Sequence, residues 1–455
     1  MRLFFPATLL TLAFLATPTP AAPGVPGVGE AQLTPAFWIG LQAQPDRVIL
    51  EGAAIAAQNA RLRQLDPSMH DLRALPPTLE RARVTGWIES LSILPVQPLY
   101  DASGAPVSAA TLRAVAGNVA LEAVPAQQDT RYGLVVRRAA LRRFPTALRV
   151  FSSNHDTDID RFQETAEFPG TPVVIAHASA DGQWLFVVSP RYAAWTRKEN
   201  VAEGRAAQVF GYADRAPYRV VTGASVRTVF TPEQPALSQL SLDMGTRVPV
   251  LDVPPDLPVN GQSPQASHVL QLPLRDAGGK LRLVPALLQK NTDTAAGYLP
   301  LTRANLIRQA FKFLGERYGW GHAYDGRDCS GFVADVYRSM GVQLPRNTGR
   351  QATSPALAHR VFTDRDSHAD RVAAAHALQA GDLVYMPGHV MMALGQFGGQ
   401  PYVIHDVAGV SYREGDGSRV RIKLNAVSVT PLLPLLRDDG QAFVDRMTSI
   451  VRIRQ

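Results

Sequence analysis

The chain has 455 residues, 46% of them apolar and 19% charged, with a formal net charge of +7. That composition builds real cores and excludes a disordered chain, and the length suggests about three domains. The positive balance suits an anionic surface such as a cell wall or lipid head groups. No dense Lys/Arg cluster with interleaved aromatics marks a nucleic-acid binder.

Residues 1–22 read as a signal peptide. Arg2 gives a positive start, Leu3 to Ala16 is an apolar run broken by Pro6, Thr8 and Thr11, and small residues end in Ala21-Ala22. The run is too short to span a bilayer, and no later segment has the roughly 20 unbroken apolar residues of a membrane span. No cysteine follows the leader, so there is no lipid-anchor site there. The expectation is a soluble exported protein, periplasmic or secreted.

Residues 23–33 are rich in Pro and Gly. From Pro35 to about Leu91 apolar residues recur at helical spacing among Gln, Arg and Ala, and 23–109 reads as a helical N-terminal arm. From about Ala110 the pattern turns to short strands. Two apolar runs, 171–177 and 183–188, flank a Gly-containing loop and predict a hairpin. A second cluster, with runs at 269–274 and 280–284 flanking Arg275-Asp-Ala-Gly-Gly279, follows. Two successive units of short strands, 110–205 and 206–295, suggest two small β-barrels. At Leu301 the pattern is helical again and opens the last domain, 296–455.

That domain holds the only cysteine of the chain, Cys329. An unpaired thiol in an oxidising compartment is a liability, which points to a chemical role. The alternative is a small buried apolar residue. Phe332, Val333, Val336, Tyr337 and Met340 lie on one helix face, which Gly341 can close, so Cys329 falls at a helix N-terminus with Asp328 as cap. Unpaired N–H groups there favour a thiolate, lowering a thiol from about 8.5 to roughly 3.5–7.5, and can serve as an oxyanion hole. Acyl transfer by a thiol needs a histidine. Strand 381–386, turn 387–388 and return strand 389–395 put His389 at a strand start, and His405 ends the next strand, 401–405. A thiol at a helix start facing two strand histidines is the papain arrangement, with His405 orienting His389. His359, His368 and His376 lack metal-ligand spacing, and no cofactor fingerprint is present.

With these motifs in place, the last domain resembles the NlpC family of papain-like cell-wall cysteine peptidases. The resemblance rests on Tyr318-Gly-Trp-Gly321, Asp328-Cys-Ser-Gly-Phe332, Leu344-Pro-Arg346, Gly381-Asp-Leu-Val-Tyr385, Gly388-His-Val390 and Val403-Ile-His405. It implies an α+β papain-like catalytic domain, preceded by two SH3-like barrels and the helical region. It further implies hydrolysis of murein stem peptides between γ-D-glutamate and a diamino acid, with Cys329 as nucleophile, His389 as general base and acid, and His405 as third member. No cofactor or metal is implied. By the same resemblance Asp328, Ser330, Tyr318 and Arg346 bind the substrate: Asp328 and Ser330 stand where relatives with barrels bind its free amino end, Tyr318 and Arg346 at further pocket positions, and an amine pocket of that kind implies a short peptide with a free L-Ala. Asp328 is equally well a plain helix cap, and Arg346 a structural ion pair. Two rivals stay open: an amidase or acyl transferase on this fold, and a catalytically silent wall-binding protein. The polar stretch 351–378 departs from the family pattern and reads as a lid or rim loop over the cleft.

Overall fold

The computed structural model describes residues 24–437 and 439–454; the expected leader, residues 1–22, lies outside them. No helix among the described residues is long and apolar enough to cross a membrane.

The N-terminal stretch divides between two cores. Its first part belongs to the last domain. Trp38, on the helix Pro35–Gly40, is fully buried beside Ile307, Phe332 and Ile404. Its indole N–H donates to Gln32 O at 2.8 Å, and its ring lies 5.0 Å from that of Tyr402. Strand Val48–Leu50 pairs with Leu301–Thr302. On helix Gly52–Leu65, Asn59 donates to Gly341 O at 2.8 Å and accepts from Gln343 N at 2.9 Å. The second part packs elsewhere: Leu79, Val84, Ile88 and Leu99 join Phe144, Phe162, Phe186 and Trp195 of the following β unit. Burying an aromatic or branched side chain is worth about 1.5–3 kcal/mol, so each part is held to its own core.

The first β unit is a seven-stranded antiparallel sheet. Its order is Val201–Gly204, Arg131–Val135, Pro172–Ala178, Trp184–Val188, Ala193–Arg197, Ala139–Arg142, Gln163–Glu167. The expected hairpin is present, with Ile175 opposite Val187 and Ala178 opposite Leu185. The second unit is more broken. Tyr218–Val221 pairs with Arg247–Pro249 and Thr294–Ala295, Ser225–Arg227 with Ser241–Asp243, and Ser267–Arg275 with Leu281–Gln289. Its core is Leu242, Val248, Leu270, Leu272, Ala286 and Leu288. No closed barrel forms in either unit among the described residues.

The last domain is built on a six-stranded antiparallel sheet. Its order is Ala358–Val361, Ser449–Arg452, Leu383–Met386, His389–Phe397, Gln400–Arg413, Arg419–Pro431. Helices Arg303–Phe311 and Cys329–Arg338 cover one face through Ile307, Phe332, Val333, Val336 and Tyr337. Just beyond the cysteine helix, Gly341 takes φ 81°, a left-handed conformation that glycine adopts without strain. The stretch 351–378 is not a lid. It supplies the edge strand Ala358–Val361 and the helix His368–His376, whose Ala374 and Ala375 pack with Val384, Met391 and Ile450 on the opposite face. The apolar residues Phe362, Ala374, Ala375 and Leu378 inside this polar stretch anchor it there.

Candidate active site

Cys329 opens its helix, and Asp328 caps it by accepting from Gly331 N at 2.8 Å. The close approach of Gly331 to His322 requires glycine, since a Cβ there would meet His322 Cε1 at 2.5 Å. Cys329 is 4% exposed. Its thiol lies 3.9 Å from the accepting Gly388 carbonyl and 3.8 Å from Thr348 Oγ1. Burial, followed by the charge of Asp328, pushes it up to about 12. Burial and the cap carboxylate thus work against the thiolate that the helix terminus favours.

His389 begins its strand after the turn at Gly388. Its Nε2 is 2.8 Å from His405 Nδ1, and His405 Nε2 is 3.0 Å from Thr430 Oγ1. Burial lowers His389 to about 4 and takes His405 well below the usual range, so both rings are neutral. With Nε2 occupied, Nδ1 is the His389 nitrogen left for the thiol. Cys329 thus opens its helix and His389 opens its strand, while His405 lies inside the neighbouring strand Gln400–Arg413, which runs on past the expected end at residue 405.

The expected substrate-binding residues fall into two groups. Asp328, Ser330 and Arg346 are buried together. Arg346 Nη2 is 2.7 Å from Asp328 Oδ2, and Arg346 Nη1 is 2.8 Å from Ser330 Oγ. Asp328 also accepts from Gly321 N at 3.0 Å and from Ser330 Oγ at 3.1 Å. Burial pushes Asp328 up, but Arg346 and the N–H groups of Gly331 and Gly321 hold it below the ordinary carboxylate range. Its oxygens are already occupied, so Asp328 is a cap and ion-pair partner. Tyr318 is half-buried; burial and then the neighbouring Cys329, Asp328 and Asp406 raise its phenol well above the usual value.

Three features lie beyond the sequence reading. First, the β units reach the site. Gln163 Nε2 donates to Gly321 O at 2.8 Å, Trp320 Nε1 donates to Gln163 O at 3.0 Å, and Arg346 Nε donates to Thr165 Oγ1. Second, Arg327 is a buried hub. It contacts Asp335 at 3.0 Å, Glu316 at 2.9 Å and Asp243 of the second β unit at 2.8 Å. Arg138 of the first unit also pairs with Asp243 and donates to Gly326 O at 2.7 Å. No local pattern signals such contacts. Third, Asp406 is fully buried with neither carboxyl oxygen hydrogen-bonded to protein. Burial, and then Asp328 and Glu316, raise it to about 9, so it is a neutral acid. A carboxyl inside the apolar run Tyr402–Val410 was a readable signal. No cluster able to hold a metal occurs among the described residues.

Residues 315–428 match the NlpC/P60 family, and residues 149–197 match the SH3 domain of SH3b1 type. The chain is thus a multidomain protein with an SH3b-type domain and a papain-like NlpC/P60 catalytic domain, the domain of a family of cysteine peptidases and peptidoglycan hydrolases. Among solved structures it is similar to an NlpC/P60 endopeptidase from Photobacterium damselae subsp. piscicida. That match has 17% identity, a TM-score of 0.73, and covers 91% of this chain and 96% of the other. It establishes a shared fold along most of the length. An NlpC/P60 family protein from Bacillus cereus matches at 19% identity and TM-score 0.47, over 71% of this chain and 100% of the other. The peptidoglycan hydrolase RipB from Mycobacterium tuberculosis matches at 23% identity and TM-score 0.21, over 34% of this chain and 65% of the other. No curated protein matches the chain.

Proposed function

We propose that this protein is a murein peptide hydrolase that cleaves the γ-D-glutamyl–diamino acid bond with Cys329, His389 and His405. The observation that carries the reading is the chain from His389 Nε2 to His405 Nδ1 at 2.8 Å, beside a thiol at a helix N-terminus. With both groups neutral at rest, the thiol loses its proton to His389 Nδ1 as sulfur attacks the γ-carbonyl carbon. Backbone N–H groups of the first helical turn face the developing oxyanion. The C–N bond then breaks, His389 returns the proton to the leaving amine, and a thioester remains. Water attacks the thioester, again giving its proton to His389. The free γ-carboxyl group departs and the thiol is restored.

The preferred substrate in this reading is a short stem peptide with a free L-Ala. Tyr318 stands at the cleft, the paired Asp328, Ser330 and Arg346 form its floor, and Gln163 and Thr165 of the first β unit support that floor. The second β unit is a further SH3-like module that helps to narrow the cleft. Action in the periplasm or outside the cell follows from the substrate.

The test uses L-Ala-γ-D-Glu-meso-diaminopimelate, its N-acetylated form and intact sacculi, with Cys329→Ala as control and products followed by mass spectrometry. Release of diaminopimelate from the free peptide alone is the expected result. Equal cleavage of the acetylated peptide removes the free-amine preference. A ligated product moves the assignment to acyl transfer. No turnover by folded protein with a reactive thiol moves it to wall binding.

A further inference from the structure

We propose that Arg446 is a specificity-determining residue that binds a carboxylate of the diamino acid released in the reaction. This rests on the hydrolase reading given above, in which His389 returns a proton to the leaving amine. That step fixes how the substrate lies, because the diamino acid must sit on the His389 side of the sulfur.

Phe443 stands on that side. Its ring meets the His389 ring edge-on, with centroids 6.4 Å apart. Phe443 has helical angles, φ −56° and ψ −41°, and leads into the 3-10 turn Val444–Arg446, where Arg446 N donates to Phe443 O at 3.0 Å. Side chains at i and i+3 of such a turn eclipse. Arg446 therefore projects from the same side of the turn as Phe443, toward His389. Two residues on, Thr448 N donates to Tyr385 O at 2.8 Å, which ties the segment to the strand Leu383–Met386 that leads into Pro387-Gly388 and His389.

Arg446 is half-buried, and its Nε is shut off from solvent with no hydrogen-bond partner. Among the described residues it forms no ion pair. Its neighbour Asp445 lies 2.6 Å from His368 Nδ1 instead. Arg327 and Arg346, by contrast, are matched to carboxylates of the protein. A guanidinium partly withdrawn from water, with one donor orphaned, is poised for an anion that arrives from outside. Its planar fork fits a carboxylate. The diamino acid offers one on the carbon beside the leaving nitrogen. Diaminopimelate has a second at the far end of its side chain, which lysine lacks.

The experiment uses full-length wild type and Arg446→Gln with three peptides. These are L-Ala-γ-D-Glu-meso-diaminopimelate, its L-Lys counterpart, and the diaminopimelate peptide amidated at the carboxyl beside the scissile nitrogen. Cleavage is followed by mass spectrometry, and binding by calorimetry with both proteins carrying Cys329→Ala. Wild type should favour the diaminopimelate peptide over at least one analogue by about ten- to a hundredfold in kcat/KM. Arg446→Gln should lower kcat/KM for the diaminopimelate peptide by about the same factor and leave that analogue within about twofold. An unaffected lysine peptide assigns the far carboxylate to Arg446, and an unaffected amide assigns the near one. A wild type that treats all three peptides alike overturns the proposal even if the glutamine variant does not fold. So does a variant that loses equally on all three, or on none. If wild type binds the peptides without cleaving them, the hydrolase reading falls, and the same pattern read in Kd decides the role of Arg446. Absence of binding to the Cys329→Ala protein, together with absence of cleavage, overturns both.

Discussion

The two sides of the cleft treat burial in opposite ways. On the histidine side, His405 and Asp406 are fully buried, His389 is half-buried, and all three are neutral. On the cysteine-loop side, Arg327, Arg346, Asp328 and Asp335 are equally buried but ion-paired, with partners drawn from both β units. The lesson is a division of labour. Neutral groups change protonation at modest cost, as proton transfer requires. Paired charges give a strongly directional scaffold, because removing one partner leaves the other stranded in a medium that solvates it poorly.

The largest test of this contrast is Arg327→Met. The stem survives, but Asp243, Asp335 and Glu316 lose their shared cation. Loss of one partner of a buried pair costs about 3–5 kcal/mol, so the denaturation midpoint should fall steeply. A loss below about 1 kcal/mol would be the behaviour of an exposed pair and would dissolve the contrast.

Next comes Asp406→Asn. Asp406 titrates near 9 when folded and near 3.9 when unfolded. Its raised value means that the unfolded chain sheds the proton first. Stability is therefore fully present below about 4 and declines as pH rises toward 9. The asparagine variant should lose that slope and gain about 2–4 kcal/mol relative to wild type at pH 7. Denaturant melts at pH 5, 7 and 9 measure it, and parallel curves for the two proteins would mean that Asp406 is charged in the folded state.

The smallest effect is Thr165→Val, which removes the hydroxyl that meets Arg346 Nε while its two contacts to Asp328 remain. About 1 kcal/mol is expected. A loss as large as that of Arg327→Met would show that the first β unit carries more of the scaffold than the ion pairs do.

How much of this was readable follows from the range of each interaction. The cysteine helix announces itself through Phe332, Val333, Val336 and Tyr337, and the histidine strands through short apolar runs broken at Pro387-Gly388. Those signals are periodic and local. Arg327 gives no such sign, because its meeting with Asp243 depends on how two units pack. The N-terminal arm shows the same limit: helical spacing ran from Pro35 to about Leu91 without showing the short strands Val48–Leu50 and Thr78–Glu80 within it or that Trp38 belongs to the core of the last domain. The polar stretch 351–378 misled because composition outweighed the few apolar residues that hold it against the sheet.

The single cysteine carries one more consequence. Oxidants attack thiolate far faster than thiol, and a sulfenic acid is rescued most readily by a neighbouring thiol. This chain has no second cysteine to do that. A thiol titrating near 12 is ionised to only about one part in 10⁵ at pH 7. The same burial that makes Cys329 a reluctant nucleophile at rest therefore acts as its antioxidant, and its sensitivity to peroxide should rise steeply in any variant that opens the cleft to water.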